Sequence, residues 1–248
     1  MMIRQNIVIT GASEGIGKAL AWEMAGRGYN LGLTSRRESV LEKIKLEINA
    51  RYPNLLIAVA PLDVSEFSDI ENTLSQLRSE LGGIDILVAN AGIANSGRVG
   101  VMPLEDQLDV INVNLNGAIA TVSAGVKLFR EQGFGHVVAT SSIAGYLGLP
   151  RNAAYSASKA GLSIYMESVR AETYREKIDV TVINPGYIDT ALNRGLKSRP
   201  FVIDVKDGAR QFATMIEKKV KVATVPRYPW NVLGLIMKIL PVSLVAKM

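Results

Sequence analysis

Tyr155 and Lys159 stand four residues apart in Tyr155-Ser156-Ala157-Ser158-Lys159, a stretch that reads as helix. At 3.6 residues per turn, that spacing stacks the phenol and the ammonium on one helical face. A fixed positive charge beside a phenol favours the phenolate. The expected effect is a tyrosine pKa drawn down from about 10 towards the working pH, where the group exchanges a proton usefully. Such pairs also arise by accident on solvated helices, so the meaning of this one rests on what the rest of the chain brings to it. Upstream, Ser142 closes an apolar run that begins at His136. A hydroxyl there suits an oxygen that acquires charge. Reducing a carbonyl needs a hydride donor on one face and a proton for the oxygen. Tyrosine, lysine and serine supply the second requirement without a metal or an acyl intermediate. His136 is the single histidine, and it opens its strand at the end away from Ser142, so it reads as structural and a serine-hydrolase reading is poor.

The hydride donor needs a binding site, and the N-terminal third carries a candidate. Ile3 to Thr10 reads as a strand, Gly11-Ala12-Ser13-Glu14-Gly15-Ile16-Gly17 as a glycine turn, and Lys18 to Ala25 as a helix. In this arrangement glycines let the backbone approach a pyrophosphate, which sits at the positive end of the helix. The spacing G-x-x-x-G-x-G is one residue longer in its first gap than the usual dinucleotide fingerprint. A second strand, Asn30 to Thr34, ends at Ser35-Arg36-Arg37. An acid at that place would select a free ribose 2′-hydroxyl, whereas arginine selects a 2′-phosphate, so Arg36 points to NADP over NAD. Both arginines also suit a solvated turn before the next helix, and Glu14 is a dissenting carboxylate in the phosphate loop.

A third strand, Leu55 to Ala60, closes at Pro61-Leu62-Asp63-Val64. Asp63 there either accepts from an adenine amino group or caps the helix starting near Glu66. Ile84 to Ala89 has the apolar continuity of a strand buried on both faces, and ends at Asn90-Ala91-Gly92. The following helix carries Leu108, Ile111 and Leu115 on one face, with Asn112, Asn114 and Asn116 spread around it. His136 to Thr140 forms a fifth strand. The Tyr155 helix runs to about Lys177, and Asp179 to Ile183 forms a sixth strand that leads into Asn184-Pro185-Gly186-Tyr187-Ile188-Asp189-Thr190. The Gly11–Gly17 turn, Arg36, Asp63, Asn90, Ser142 and Pro185 each follow a strand. In a doubly wound, mostly parallel α/β sheet with helices on both faces, they therefore fall along one edge, where ligands bind.

In order and spacing these residues resemble the short-chain dehydrogenase/reductase family over roughly residues 3 to 190. The resemblance implies that Tyr155 is the general acid/base, that Ser142 polarises the substrate oxygen, and that Lys159 lowers the tyrosine pKa and holds the nicotinamide ribose. It further implies that Asn114 holds a water in a relay to Lys159, that Ile188 and Thr190 hold the nicotinamide carboxamide, and that Asn90 shapes the cofactor wall. The expected cofactor site is thus Gly11, Ser13, Gly15, Ile16, Gly17, Arg36, Asp63, Val64, Asn90, Tyr155, Lys159, Pro185, Ile188 and Thr190. The expected activity is NADP-dependent reduction of a ketone or aldehyde, or oxidation of a secondary alcohol, by a homodimer or homotetramer. A non-catalytic nucleotide-binding scaffold on the same fold is the alternative.

The chain has 248 residues, 48% of them hydrophobic, which suits one well-buried domain. Residues 1–226 are expected to form it, and 227–248 an apolar helical tail. Without cysteine, disulfides, iron–sulfur clusters and Cys/His zinc sites are excluded. The net charge of +5 is spread without a basic stripe, so no nucleic-acid partner is expected. The chain passes directly from Met1–Gln5 into an apolar strand, leaving no room for a leader, and a cytoplasmic location is expected. Val205 to Lys218 reads as an amphipathic helix and Val220 to Val225 as a last strand. From Asn231 an apolar helix leaves only Asn231, Gly234 and Lys238 as a polar line, and Pro241 ends or kinks it. Three readings fit this tail. It covers the substrate mouth or a partner subunit, it lies in a membrane interface with Trp230 and Lys238 at the boundary, or it closes an ordinary core. Leu147, Leu149 and Tyr187 point to an apolar substrate pocket.

Overall fold

The computed structural model describes residues 5–196, 198–237 and 239–246. Seven parallel strands form one sheet in the order β3-β2-β1-β4-β5-β6-β7. They are β1 (Asn6–Thr10), β2 (Asn30–Ser35), β3 (Ile57–Pro61), β4 (Ile86–Ala89), β5 (Gly135–Thr140), β6 (Ile178–Pro185) and β7 (Val222–Val225). The strand order reverses between β1 and β4, where Val8 is paired with both Gly32 and Leu87. That reversal opens a crevice at the carboxyl ends of the strands.

The sheet is buried on both faces, which explains its unbroken apolar strands. On one face Val8, Leu87, Val137 and Val180 pack under α3 (Phe67–Leu81), α5 (Ala118–Gln132) and α6 (Ala153–Glu172), through Leu74, Phe129 and Met166. On the other, Ile7, Ile9, Leu33 and Val138 pack under α1 (Gly15–Gly26), α2 (Glu38–Arg51) and α7 (Val205–Glu217), through Leu20, Ile44 and Phe212. The doubly wound architecture read from the sequence is the one observed.

Several elements differ from the sequence reading; β4 and β7 each begin two residues later than expected, at Ile86 and Val222, and β6 is longer, Ile178–Pro185. The third strand begins at Ile57, not Leu55. The helix before β5 is not regular: α4 (Leu104–Ile111) passes through a π-helical turn, Asn112–Gly117, into α5. Val110, not Leu108, is the buried residue of α4, and the extra residue in the turn re-phases α5 relative to α4. Helix α6 stops at Glu172 because Thr173 leaves helical geometry and turns its hydroxyl back to the Val169 carbonyl (2.9 Å). In the tail, α8 (Trp230–Met237) is followed by a one-turn helix, α9 (Val242–Val245), beyond Pro241. Of the expected polar line, Gly234 is buried against Tyr146, and Lys238 lies outside the described residues. The expected first-strand residues Ile3 and Arg4 also lie outside them.

Candidate active site

The glycine turn is shaped by close approach. Gly11 has φ +68°, a left-handed conformation that disfavours side chains, and a Cβ there would sit 2.8 Å from the Ala91 Cα. At Gly17 a Cβ would collide with the Gly11 carbonyl oxygen, so the first turn of α1 is pressed onto the loop. Thr10 and Asn90 tie this loop across the strand reversal. The Thr10 hydroxyl accepts from the amides of Asn90 (3.0 Å) and Ala91 (3.1 Å), and Asn90 Nδ2 donates to the Thr10 carbonyl (3.0 Å). Sequence reasoning gave Thr10 no such role. Its signal lay only in the need of two part-buried amides at a strand end for an acceptor.

No side chain caps α1, whose preceding residue Glu14 is extended. Its first amides are thus left for an anion at the positive helix end. Glu14 itself is paired with Arg37 (3.1 Å), which also donates to the Ser13 hydroxyl at 2.8 Å. The dissenting carboxylate is therefore neutralised by the second arginine. Arg36 extends into solvent, 3.8 Å from Asp63. Asp63 does not cap α3 but accepts from the amide and hydroxyl of Ser65, at 3.0 and 2.6 Å. Burial pushes the Asp63 carboxyl up, but the Ser65 bonds and Arg36 outweigh it and hold the group below its ordinary range. Val64 is buried, with its carbonyl against Gly117 of the π-turn.

A cavity of about 250 Å³ opens in the crevice. Gly15, Ile16, Gly17, Asn90, Pro185, Ile188 and Thr190 line it, as do Ser142, Tyr155 and Lys159. Gly11 and Ser13 support it from the glycine turn. Arg36, Asp63 and Val64, near the ends of β2 and β3, do not line this cavity. Leu149, Asn152, Leu192 and Leu196 add to its wall, the last two from the loop that follows β6. That loop is closed by a bridge between Ile188 and Ile203 and by Arg199 and Arg194 on Asp189.

Lys159 is 4% exposed, and its ammonium donates to the Thr140 carbonyl at 2.9 Å. Burial lowers its pKa to about 8. Ser142 lies at the end of β5, where its Oγ accepts from the Ala144 amide (3.1 Å) and so caps a 3-10 turn, Ile143–Gly145. The Tyr155 pKa runs against the expectation drawn from spacing. Burial pushes the phenol up, and the opposing pull comes from the Ser142 hydroxyl. Lys159 Nζ is 5.8 Å from the phenol ring centroid and spends a hydrogen bond on Thr140. The two side chains do share a helical face, but burial disfavours the phenolate that the spacing alone favours.

Asn114 is fully buried in the π-turn, behind the cavity wall. Its Oδ1 accepts from the Ile93 amide and its Nδ2 donates to the Ile93 carbonyl, both at 2.8 Å. It also reaches Ser158 at 3.4 Å. The two bonds pin the loop after β4. His136 stands at the opposite end of the sheet with its Nε2 2.8 Å from the Thr181 hydroxyl. Among the described residues there is no group of three or more His, Cys, Asp or Glu placed to hold a metal ion.

The tail folds onto the cavity's outer loops. Trp230, Met237 and Ile143 form a small cluster with Tyr146, Leu147 and Tyr187. The Trp230 ring meets Tyr187 and Phe201 edge-on, each at 5.9 Å. Trp230 is thereby buried and does not stand at a membrane boundary.

The family profile for short chain dehydrogenase matches residues 5–200. The chain is 38% identical over 239 residues to an uncharacterised oxidoreductase of Mycobacterium tuberculosis, covering 96% of this chain and 94% of that one. It is 33% identical over 189 residues to the 3-oxoacyl-[acyl-carrier-protein] reductase of Escherichia coli, covering 76% and 75%. An alcohol dehydrogenase from the archaeon Thermococcus sibiricus, solved with 5-hydroxy-NADP, superposes with a TM-score of 0.81 at 26% identity, covering 90% of this chain and 95% of that one. Profile, relatives and strand order converge, and the chain belongs to the short-chain dehydrogenase/reductase family, oxidoreductases that use NAD or NADP.

Proposed function

We propose that this protein is a cytoplasmic NADP-dependent oxidoreductase that reduces an apolar ketone or aldehyde, or oxidises the matching secondary alcohol, as a homodimer or homotetramer. The observation that carries the reading is the convergence of Ser142, Tyr155 and Lys159 on one cavity that also contains the uncapped start of α1. The crowded glycine turn and those free amides fit a dinucleotide diphosphate. Gly15, Ile16 and Gly17 would hold it, with Asn90, Pro185, Ile188 and Thr190 along the nicotinamide half. Arg36 and Arg37 would meet a 2′-phosphate. When bound, the nicotinamide supplies or accepts the hydride.

The protein's own part is the proton. A phenol whose proton is retained by burial is a suitable donor to a carbonyl oxygen as that oxygen gains charge, and the same group takes the proton back in the oxidising direction. Ser142 stabilises the developing charge and steadies the phenol. Lys159, anchored on Thr140, keeps further ammonium protons for a ribose hydroxyl. Asn114 is a positioning residue through its grip on Ile93. Apolar Leu149, Leu192 and Leu196 in the cavity wall support an apolar substrate. Half-exposed Leu104, Leu108 and Ile164, on α4 and α6, support pairing of subunits.

The test is a titration with NADPH and, separately, NADH, followed by turnover of an aliphatic ketone panel by the wild type and by Tyr155→Phe. Selective NADPH binding, with turnover falling by about 100-fold or more in the variant and binding unchanged, is the expected result. A Tyr155→Phe variant that keeps most of its activity would remove the proton-transfer assignment.

A further inference from the structure

Helix α8 is apolar on both sides. Its inner side, Trp230, Gly234 and Met237, is consumed by the cavity's outer loops. The outer side carries Val232, Leu235 and Ile236, and Ile239, Val242 and Leu244 continue the exposed apolar run beyond its end and into α9. Leu235 is 68% exposed, and Ile239 and Val242 are 81% exposed. A run of this size has no counterpart in the ordinary scatter of single surface leucines.

Two further observations say what covers it. The first is charge. From Val222 onward the chain contains no acidic residue, and its charged side chains are Arg227, Lys238 and Lys247. The second is continuity with the cavity. Buried Trp230 links α8 to half-exposed Phe201, and the same loop carries Leu192 and Leu196, which are part-exposed while lining the cavity. Apolar residues flanked only by cations match the interface of an anionic bilayer, where aliphatic side chains enter the acyl boundary and basic ones meet headgroups. No helix among the described residues is long and apolar enough to cross a membrane.

We infer that the outer face of α8 and α9 docks the protein onto anionic lipid surfaces, with the 192–202 loop beside it, so that the cavity mouth opens next to the bilayer. The inference concerns the surface and does not depend on the cofactor reading. Residues facing outward make the test clean, because their loss leaves the packed side of α8 intact.

The experiment is co-sedimentation of the full chain with vesicles of phosphatidylcholine alone, or of phosphatidylcholine with phosphatidylglycerol. The wild type is expected to partition onto the anionic vesicles about tenfold or more tightly than onto neutral ones, with the difference collapsing in high salt. Leu235→Ser/Ile239→Ser is expected to lose about tenfold or more of that partition with an unchanged melting temperature. Arg227→Gln is expected to weaken anionic binding alone. Failure of the wild type to partition, or equal partition by the double serine variant, would overturn the inference. A double variant that changes oligomeric state while the wild type ignores vesicles would do so as well, and would show a second copy of the chain as the occupant.

Discussion

Replacing Lys159 by methionine is expected to make the protein more stable and inactive. Burial brings the lysine from its ordinary 10.5 to about 8. At about 1.4 kcal/mol per tenfold change in proton affinity, the charged form is disfavoured in the folded state by roughly 3 kcal/mol. Methionine has similar reach and no charge to desolvate, but it leaves the Thr140 carbonyl without its donor, a loss of about 1–2 kcal/mol. The balance is about 1–2 kcal/mol in favour of the variant. For a chain of this length that is a rise in melting temperature of about 3–6 °C. The pH dependence identifies the cause. A lysine depressed on folding opposes folding fully below pH 8, where it is charged in both states. The penalty fades as pH rises from 8 to 10.5, because the folded protein sheds the proton first. The advantage of the variant should therefore be constant below pH 8 and shrink above it. Scanning calorimetry from pH 7 to 10, beside ketone turnover, reads both effects. A variant that melts lower at pH 7, or an advantage that ignores pH across that window, would refute the reasoning.

Arg36→Asp is expected to lower NADPH affinity about tenfold relative to NADH, because a carboxylate repels a 2′-phosphate and accepts from a 2′-hydroxyl. An unchanged ratio from paired fluorescence titrations would leave the arginine as a surface charge near Asp63. His136 sits on the other side of the molecule, where burial is the main cause of a pKa lowered from 6.5 to about 4, with Lys219 adding to it and Asp179 opposing. Its contribution to stability is present above pH 6.5 and lost as pH falls to 4, because the unfolded chain takes up the proton first. Urea titrations should show the wild type losing about 3 kcal/mol more than His136→Gln across that window. Parallel pH curves for the two proteins would contradict the assignment.

What the sequence revealed was whatever depends on local period and spacing. Strands buried on both faces are unbroken apolar runs, and a loop pressed against a helix needs glycine, so β1, β4 and the Gly11–Gly17 turn were legible. So was the shared helical face of Tyr155 and Lys159. The sign of the tyrosine's shift was not, because it depends on desolvation and on which acceptor captures the ammonium, and Thr140 is nineteen residues away in sequence. Nor could spacing decide which arginine turns towards the glycine turn, since adjacent side chains on an irregular segment point in different directions. Arg37 reaches Ser13 and Glu14, while Arg36 reaches Asp63. The 189–203 loop follows no period. Its shape, though not its place after β6, depends on the Ile188–Ile203 bridge and the arginines on Asp189.

The π-turn at Asn112–Gly117 sets an angular phase as well as a hydrogen-bond pattern. Each residue of an α-helix advances by about 100°, so one residue accommodated in a wider turn rotates everything beyond it relative to everything before. With that turn in place, Asn114 faces Ile93 while Val122 and Phe129 of α5 face the sheet. A single-residue deletion between Asn112 and Gly117 would yield a smoother helix that could keep one of those alignments but not both. Its cost would appear as a choice between a seated core and a pinned loop after β4. The irregularity is the gear that lets one continuous helix serve two surfaces at once.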